Sequence, residues 1–338
     1  MHQEETTMQA EKASCKETLT NEQMIHRWGS AMSEAILDST CHTFSIPEID
    51  GFIGYLVAND NCAIVIGDPI CAEDKKPLLT QAFHKYCKEN NLACIYFIVS
   101  EKFAKWAIDN VSKILIQVGE EIVFDPFKDP TEGHKGYRLR NKLNHTKHIG
   151  LAVKEYLTND TELEKSILNV GQNWVKARKG PQIYIGDLNF FKNRTNKRWF
   201  YLEDDKRNVI GMALLRGLQA HKGWLLKFLI VNPDAPRGAS EQLVISIMET
   251  LRKEDCHFVT YGMVPADRLG DTAGLGVIAG TLAKLGFMAA KWIFHLEQRK
   301  NYWLQFHPQF EKSYLLFSSP RIGIKELRAL SFAMKIDL

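Results

Sequence analysis

Long apolar runs are missing from this sequence. No stretch comes near the ~20 consecutive apolar residues that a helix needs to cross a bilayer, so no membrane-spanning segment is expected. The first twenty residues, MHQEETTMQAEKASCKETLT, are polar and carry acids early, unlike a secretory signal. We therefore expect a disordered lead-in over 1–20 and a cytoplasmic protein that meets a membrane, if at all, only peripherally at its inner face.

Cysteine pairs and a strong charge of one sign are also missing. Seven cysteines are present, but no two are spaced as C-x-x-C, which argues against a zinc site and favours free thiols in a reducing compartment. The 43 basic and 40 acidic residues leave a net charge of only +3. The total charge therefore does not indicate any class of binding partner, and only the local distribution of charge is informative.

Several catalytic motifs are absent as well. The chain has no H-E-x-x-H, no G-x-S-x-G and no G-x-x-x-x-G-K-[ST], the signatures of zinc proteases, α/β-hydrolases and P-loop nucleotide hydrolases. Asp267 and Asp271 lie near Gly270 without the spacing of an EF-hand. We expect neither a metal nor an organic cofactor.

Apolar residues, 45% of the 338, are sufficient for a large core. We predict a degenerate N-terminal unit over 21–132, a basic linker helix over 133–150 and a C-terminal unit over 151–338. In the second unit a strand and a helix precede three antiparallel strands, a helix and another strand, an order that resembles the GNAT acyltransferase fold. The predicted class is α/β (α+β): tandem GNAT-like domains, with mixed, mainly antiparallel sheets flanked by helices.

Helices are predicted at both ends of the folded region. A helix over 21–39 would place Met24, Trp28, Met32 and Ile36 on one face. The tail, 323–338, repeats apolar residues at helical spacing among lysines and arginines. We expect it to dock on its own domain, with an anionic membrane as the alternative partner.

Residues 133–148, GHKGYRLRNKLNHTKH, form a basic stretch without a carboxylate. They contain three histidines and five basic residues, namely Lys135, Arg138, Arg140, Lys142 and Lys147. The stretch is either a solvated connecting helix or a surface that contacts phosphates. Its composition alone does not distinguish a tRNA from an anionic membrane.

An apolar run ends in VNPDAPRGASEQLV, residues 231–244, where a helical pattern begins. Arg237, the close-approach residue Gly238 and the expected N-cap Ser240 suggest that helix amides bind a phosphate there. However, the second glycine of a CoA loop is missing, and Glu241 would repel a pyrophosphate. A well-capped helix without a ligand is the alternative.

Two other segments carry candidate site residues. The strand HFVTYGMVP delivers Tyr261 to its C-terminal end, where a glycine-rich loop opens, a usual place for a site in an α/β unit. Arg299 and Lys300 precede a series of aromatic residues that suits nucleotide stacking. In both segments the aromatic side chains could instead serve only core packing.

Six stretches, taken in order, resemble one family, the C-terminal catalytic domain of lysyl-phosphatidylglycerol synthases. They are FIGYLVANDNCAIVIGDPIC, QVGEEIVFDP, HKGYRLRNKLNHTKHIG, PDAPRGASEQL, FVTYGMVPA and QRKNYWLQFHPQFEKSYLLF. The resemblance implies tandem GNAT-like domains that move an aminoacyl group from charged tRNA to a lipid hydroxyl at a membrane surface.

The sequence departs from this family at specific positions. Lys227 and Ile230 stand where the bacterial phosphatidylglycerol enzymes usually have Asp and Arg, and Trp303 replaces a usual Lys. Glu311 matches the acidic residue of their His-Pro-x-x-Glu. PDAPRGASEQL and RIGIKELRALSFAMK resemble more closely the related domain of fungal enzymes that aminoacylate sterols. The implied acceptor is therefore phosphatidylglycerol or a sterol-like alcohol.

An aminoacyl ester on tRNA is already activated, so the enzyme has to orient the acceptor and stabilise a tetrahedral oxyanion. We predict that Lys227, at the end of the central strand, or Tyr261 polarises the ester or carries the proton, with Glu311 as a further catalytic candidate. Two other functions remain open: a CoA-dependent N-acyltransferase of the same fold, and a catalytically silent tRNA- or lipid-binding homologue.

Overall fold

The computed structural model describes residues 19–37, 40–58, 61–177, 190–191, 194–266, 270–276 and 296–333. Within these ranges the helices are α1 Asn21–Trp28, α2 Lys76–Glu89, α3 Glu101–Asn110, α4 Tyr137–His148, α5 Thr161–Ala177, α6 Ala239–Lys253, α7 Leu296–Leu304 and α8 Ile324–Ala333. Short 3-10 helices cover Ala31–Leu37, Glu73–Lys75 and Gln219–His221. Most of the expected lead-in, residues 1–18, lies outside the described residues.

The strands are β1 His42–Phe44, β2 Gly51–Ala58, β3 Cys62–Ile66, β4 Ile70–Cys71, β5 Ala93–Ser100, β6 Ile114–Phe124, β7 Ala152–Tyr156, β8 Lys197–Glu203, β9 Val209–Leu218, β10 Gly223–Val231, β11 Val259–Pro265, β12 Thr272–Ala273 and β13 Gln309–Phe317. They form one sheet in the order β1-β2-β3-β5-β13-β6-β11-β10-β9-β8-β7, with β4 paired to β2 and β12 to β6. Only β3–β5 and β10–β11 are parallel among the described pairs. The predicted mixed, mainly antiparallel sheet is confirmed.

The last described strand does not pair with the strands that precede it in sequence. β13 is inserted between β5 and β6, and its pairing with β6 runs from Gln309 opposite Val123 to Phe317 opposite Ile114. The C-terminal strand thus completes the N-terminal half of the sheet, while β6 and β11 join the two halves directly. The domain boundaries at 132 and 151 stay a prediction.

Helices cover both faces of the sheet because side chains on each strand alternate between them. On the first face, α2 and α3 pack over the N-terminal half and α4, α6 and α7 over the other half. On the second face, α1, the 3-10 helix Ala31–Leu37 and α8 cover the N-terminal half, and α5 covers β8 to β10. Each half of the sheet therefore has an apolar core on both sides.

The single helix expected over 21–39 is wrong in one respect. α1 ends at Trp28, and a 3-10 helix follows from Ala31. The break is at Gly29, where an added Cβ would lie 2.4 Å from the carbonyl oxygen of Ile25. The tail helix does dock on the domain, through Ala329 and Leu330. None of the helices in the described ranges is long and apolar enough to cross a membrane.

Candidate functional site

The two parallel strand pairs differ in how far they stay together. β3 and β5 remain in register over five pairs, from Cys62 opposite Ala93 to Ile66 opposite Phe97. β10 and β11 share only two pairs, the last being Leu225 opposite Thr260. Beyond that point β10 continues along β9 and β11 continues along β6. The sheet therefore opens between β10 and β11, and no described strand fills the gap.

This opening lies at the carboxyl ends of two parallel strands, where α/β proteins commonly place their ligands. Just beyond β10, the side-chain carbonyl oxygen of Asn232 is buried and has no hydrogen-bond partner among the described residues. A buried acceptor without a donor is uncommon in a folded protein, and a polar ligand would supply the missing donor. The opening is the candidate site.

Lys227 lies in the middle of β10 rather than at its end, which corrects the sequence prediction. The pairing of β10 with β9 slips between Leu226 and Phe228, so Lys227 sits on a β-bulge and is exposed to solvent. The bulge explains why Leu226 joins the core of the first face and Phe228 that of the second. The Nζ of Lys227 is 5.8 Å from the centre of the Phe228 ring.

Thr260 marks the point where the strands diverge. Its hydroxyl lies 2.7 Å from Oε1 of Glu121 and 2.9 Å from the carbonyl oxygen of Ile122. The main-chain N–H of Gly262 donates to the same hydroxyl at 2.9 Å. Gly262 has a φ of +87°, a conformation that favours glycine. Its conformation and hydrogen bond fix β11 at the edge of the opening.

Glu121 and Glu311 form a pair of carboxyl groups beside this point. They are directly opposite each other on β6 and β13, so both side chains project from the second face. Burial raises the pKa of Glu121 to about 7, against the lowering effect of the Thr260 hydroxyl and with a further increase from the charge of Glu311. A carboxyl group that is half ionised near neutral pH can accept or donate a proton.

Glu121 was not among the residues that sequence reasoning selected. It stands in QVGEEIVFDP, where two acids interrupt a strand that is otherwise mostly apolar. That interruption was the available signal. Glu311 was selected for its motif, and the structure brings it to Glu121 although 190 positions separate the two residues.

α4 packs directly against the N-terminus of α6. Gly238 precedes the helix with a φ of +96°, and an added Cβ would lie 2.9 Å from Cγ2 of Thr146 and 3.0 Å from the carbonyl oxygen of Lys142. Only glycine fits there without displacing α4. Ser240 is not the N-cap, because the helix already begins at Ala239, and its hydroxyl donates to Oε2 of Glu241 at 3.0 Å.

Glu241 supplies an internal anion at this helix end. Its side chain is buried, and Lys142 Nζ lies 2.7 Å from Oε1. Although burial would raise the pKa of Glu241, Lys142 and the main-chain amide of Glu241 itself hold it below the ordinary value. A pyrophosphate placed here would meet a carboxylate that already has its cation. The geometry therefore disfavours CoA binding at α6.

The basic stretch does form a helix, α4, but its cations divide into two groups. Lys142 pairs with Glu241, and the Arg140 guanidinium donates to the carbonyl oxygens of Thr131 and Gly133. The side chains that remain exposed are Lys135, Arg138 and Lys147. Arg237, just before α6, is exposed as well. Three of the five predicted tRNA contacts thus face solvent, and two have structural partners.

α7 packs on the sheet through side chains of the aromatic segment that follows Arg299. Trp303 is 2% exposed, and its ring centre lies 4.2 Å from that of the partly buried Tyr261. Lys300 Nζ lies 2.7 Å from Glu120 Oε2 and 5.0 Å from the centre of the Phe310 ring. The side chain of Arg299 lies outside the described residues. Trp303 thus makes a core contact.

Comparison with a family model adds to this geometry. The model described as "Phosphatidylglycerol lysyltransferase, C-terminal" matches residues 24–317, which includes every described strand. No curated protein matches the sequence.

Solved structures show the same fold at low sequence identity. L-PGS from Bacillus licheniformis is 16% identical with a TM-score of 0.72, and the alignment covers 93% of this chain and 95% of that one. The C-terminal domain of a putative lysylphosphatidylglycerol synthetase from Agrobacterium fabrum is 18% identical, with a TM-score of 0.70 and coverages of 93% and 96%. FemX is 10% identical, with a TM-score of 0.53 and coverages of 92% and 98%. The chain therefore shares the fold of these proteins, a mixed sheet flanked by helices.

Proposed function

Because the chain belongs to the family of the phosphatidylglycerol lysyltransferase C-terminal domain, an aminoacyltransferase family, we propose that it moves an aminoacyl group from a charged tRNA to a lipid hydroxyl. The observation that carries this proposal is the opening between β10 and β11, where Thr260 at its edge contacts Glu121, which in turn lies opposite Glu311. It offers a proton acceptor beside a gap at the ends of two parallel strands.

The proposed step needs only groups that the substrates and this site contain. The acceptor hydroxyl oxygen attacks the aminoacyl carbonyl carbon while Glu121 takes the hydroxyl proton. As the tetrahedral intermediate collapses, the bond between that carbon and the tRNA ribose oxygen breaks, and Glu121 returns the proton to the leaving oxygen. One ester replaces another, so no oxidant or reductant is consumed.

Two features would stabilise the oxyanion of the intermediate. Lys227 is exposed on the bulge of β10 and brings a positive charge to the strand that borders the opening. The edge of β11 that faces away from β6 adds main-chain N–H donors beyond Thr260. Donors held in place before the reaction lower its barrier because they need not reorient.

The tRNA is proposed to bind across α4 and the start of α6. Gly238 contacts Lys142 and Thr146, so Arg237 lies beside the helix that carries Arg138 and Lys147. We call these exposed cations on and beside α4 the basic surface and propose that together they bind a phosphate backbone. Arg140 and Lys142 are assigned instead to holding α4 in place.

The acceptor is proposed to be phosphatidylglycerol or a sterol-like alcohol. Ile230 is 1% exposed in the core beneath α5, so it cannot contact a headgroup. Lys227 contributes a cation where the bacterial phosphatidylglycerol enzymes usually have an acid. Of the two positions, only Lys227 can therefore influence the choice of acceptor.

The test is transfer of a labelled amino acid from charged tRNA into chloroform-soluble lipid. Vesicles that contain either phosphatidylglycerol or ergosterol are offered with tRNA charged with Lys, Ala, Asp or Arg. We expect label in one lipid product, with the acceptor class identified by mass spectrometry. Absence of transfer from all four amino acids to both lipids would contradict the proposal.

The departure at Lys227 and Ile230 favours one alternative, a homologue that binds tRNA or lipid without turnover. Such a homologue would have the same fold and the same basic surface as the proposed enzyme. Binding of tRNA or lipid alone therefore does not distinguish the two functions. Saturable tRNA binding together with no transfer in the same buffer would support the silent homologue.

A further inference from the structure

α8 carries apolar side chains on the side that faces away from the protein. Ala329, Leu330 and Ala333 are buried against β2 and β3 on the second face of the sheet. The opposite side presents Ile324, Leu327 and Phe332, which are 70%, 52% and 48% exposed. Their spacing of i, i+3 and i+8 puts them on one side of the helix, where a surface helix normally carries polar residues.

This concentration is unusual within the described part of the chain. The other exposed large apolar residues are spread over the molecule: Leu37, Val57, Leu78, Phe127, Tyr137, Leu157 and Leu304. No other described helix or strand carries more than one of them. Scattered exposed apolar residues are ordinary, whereas three on ten residues of helix indicate a contact surface.

The charges around this apolar side have one sign. Arg321 and Arg328 are exposed and Lys325 is partly exposed, and none of them has an ion-pair partner among the described residues. The one acid of the helix, Glu326, is 7% exposed, and its Oε2 accepts the main-chain N–H of Gly323 at 2.8 Å. The solvent-facing side of α8 is therefore apolar and cationic without an exposed carboxylate.

We propose that the α8 surface, made of Arg321, Ile324, Lys325, Leu327, Arg328 and Phe332, rests on a lipid bilayer with anionic headgroups. The apolar side chains enter the boundary between headgroups and acyl chains, and the three cations bind the lipid phosphates. An exposed helix side that carries both apolar and basic groups is better suited to a bilayer surface than to bulk water or to a nucleic acid.

The position of α8 relates this surface to the candidate site. Met263 of β11 packs in the same core cluster as Ala329 and Leu330, and Glu121 projects from that same face of the sheet. A lipid acceptor in the bilayer would thus lie on the side of the sheet that carries the carboxyl pair. This part of the inference rests on the proposed function, whereas binding of the bilayer itself does not.

The test is co-sedimentation of the full chain with vesicles in the absence of tRNA. We expect binding to an equal mixture of phosphatidylcholine and phosphatidylglycerol, and weaker binding to phosphatidylcholine alone. Combining Ile324→Ser, Leu327→Ser and Phe332→Ser should weaken binding about tenfold or more, because these side chains lose the apolar surface that enters the bilayer. The matched control, Leu78→Ser with Leu157→Ser, removes exposed apolar groups elsewhere and should bind as the wild type.

A second variant on the same surface keeps the test valid if the first variant misfolds. Arg321→Gln with Arg328→Gln should weaken binding to the mixed vesicles about tenfold, and raised salt should have the same effect on the wild type. No vesicle binding by the wild type, or unchanged binding by both surface variants, would overturn the proposal. A wild-type dimer that the apolar variant converts to a monomer, without vesicle binding, would assign the surface to a second copy instead.

Failure of this inference and failure of the proposed function can be told apart. Aminoacyl transfer to a short-chain, water-soluble acceptor does not require the α8 surface. Transfer to that acceptor without vesicle binding would reject the bilayer surface alone. Vesicle binding without any transfer would instead reject the proposed function.

Discussion

Glu121 and Glu311 face each other across β6 and β13, and the Thr260 hydroxyl contacts the first of them at 2.7 Å. Thr260 is also the last residue of β11 that pairs with β10. The proposed proton acceptor, Glu121, is thus tied to the edge of the opening by its hydrogen bond with Thr260. Glu311 acts through Glu121, since its negative charge disfavours ionisation of its neighbour.

The pH dependence of the transfer reaction follows from this pair. If Glu121 accepts the proton, activity should rise with pH through about 7 as its carboxyl group ionises. Glu311→Gln removes a nearby negative charge, so the pKa of Glu121 falls and the rise in activity moves to lower pH. The measurement is the pH profile of single-turnover transfer.

The matched control is Glu162→Gln, whose side chain is 81% exposed on α5. It should leave the pH profile of the wild type unchanged. A shift of the Glu311→Gln profile to higher pH, or identical profiles for all three proteins, would be inconsistent with the coupling.

Among the secondary-structure elements, the packing of α4 on α6 determines which cations of the basic helix remain exposed. Lys142 Nζ bridges Glu241 and the side-chain oxygen of Gln305, each at 2.7 Å, and Thr146 donates to Gln242 at 2.9 Å. These bonds hold α4 on α6, whereas Arg138 and Lys147 remain exposed to solvent.

Breaking the ion pair between α4 and α6 should destabilise the protein. Lys142→Met leaves the buried Glu241 without its cation, and we expect the free energy of unfolding to fall by about 2–4 kcal/mol. The double change Lys142→Met with Glu241→Gln should recover part of that loss, because no unpaired charge remains. Urea unfolding of the two single variants and the double variant measures the coupling. Additive losses would show that the pair does not act as a unit.

The exposed cations of α4 should govern tRNA affinity. Arg138→Ala with Lys147→Ala is expected to weaken binding and to flatten its dependence on salt, with the slope falling by about one for each phosphate that is no longer neutralised. Lys85→Ala removes an exposed lysine from α2 and serves as the control. Filter binding of charged tRNA over a series of salt concentrations gives both quantities. An unchanged salt slope in the double variant would place the tRNA elsewhere.

The sequence predicted the helices and strands better than it predicted the contacts between them. Helical period and acid-free composition identified α4, and the loop before α6 indicated that a helix follows it, although the N-cap is Gly238 rather than Ser240. The ion pair between Lys142 and Glu241 links residues 99 positions apart, and the bulge at Lys227 depends on pairing with β9. Local patterns hold no information on such pairings, which is why the closed end of α6 and the role of Glu121 required the structure.

At the scale of the whole molecule, the sheet is continuous from one end to the other. β13, from the C-terminal part of the chain, pairs with both β5 and β6, and β6 pairs in turn with β11. The N-terminal half is therefore completed by residues that follow the C-terminal half in sequence. The element order predicted a mixed, mainly antiparallel sheet correctly, but it did not place this last strand.

We expect the two halves to unfold together. Urea unfolding followed by tryptophan fluorescence and by far-ultraviolet circular dichroism should give coincident single transitions, because the N-terminal half needs β13 from the C-terminal part of the chain and its strand β6 pairs with β11 of the other half. Trp106 reports on the N-terminal half and Trp199 on the other. Two separated transitions would show that the halves fold independently despite the shared sheet.

We propose that aminoacyl transfer takes place at the opening between β10 and β11 with Glu121 as proton acceptor. Single-turnover transfer from charged tRNA to vesicle lipid, compared between the wild type and Glu121→Gln, tests it most directly. We predict that the variant binds tRNA and vesicles as the wild type does and transfers about a hundredfold more slowly or worse. Equal transfer rates for the two proteins would exclude Glu121 as the proton acceptor.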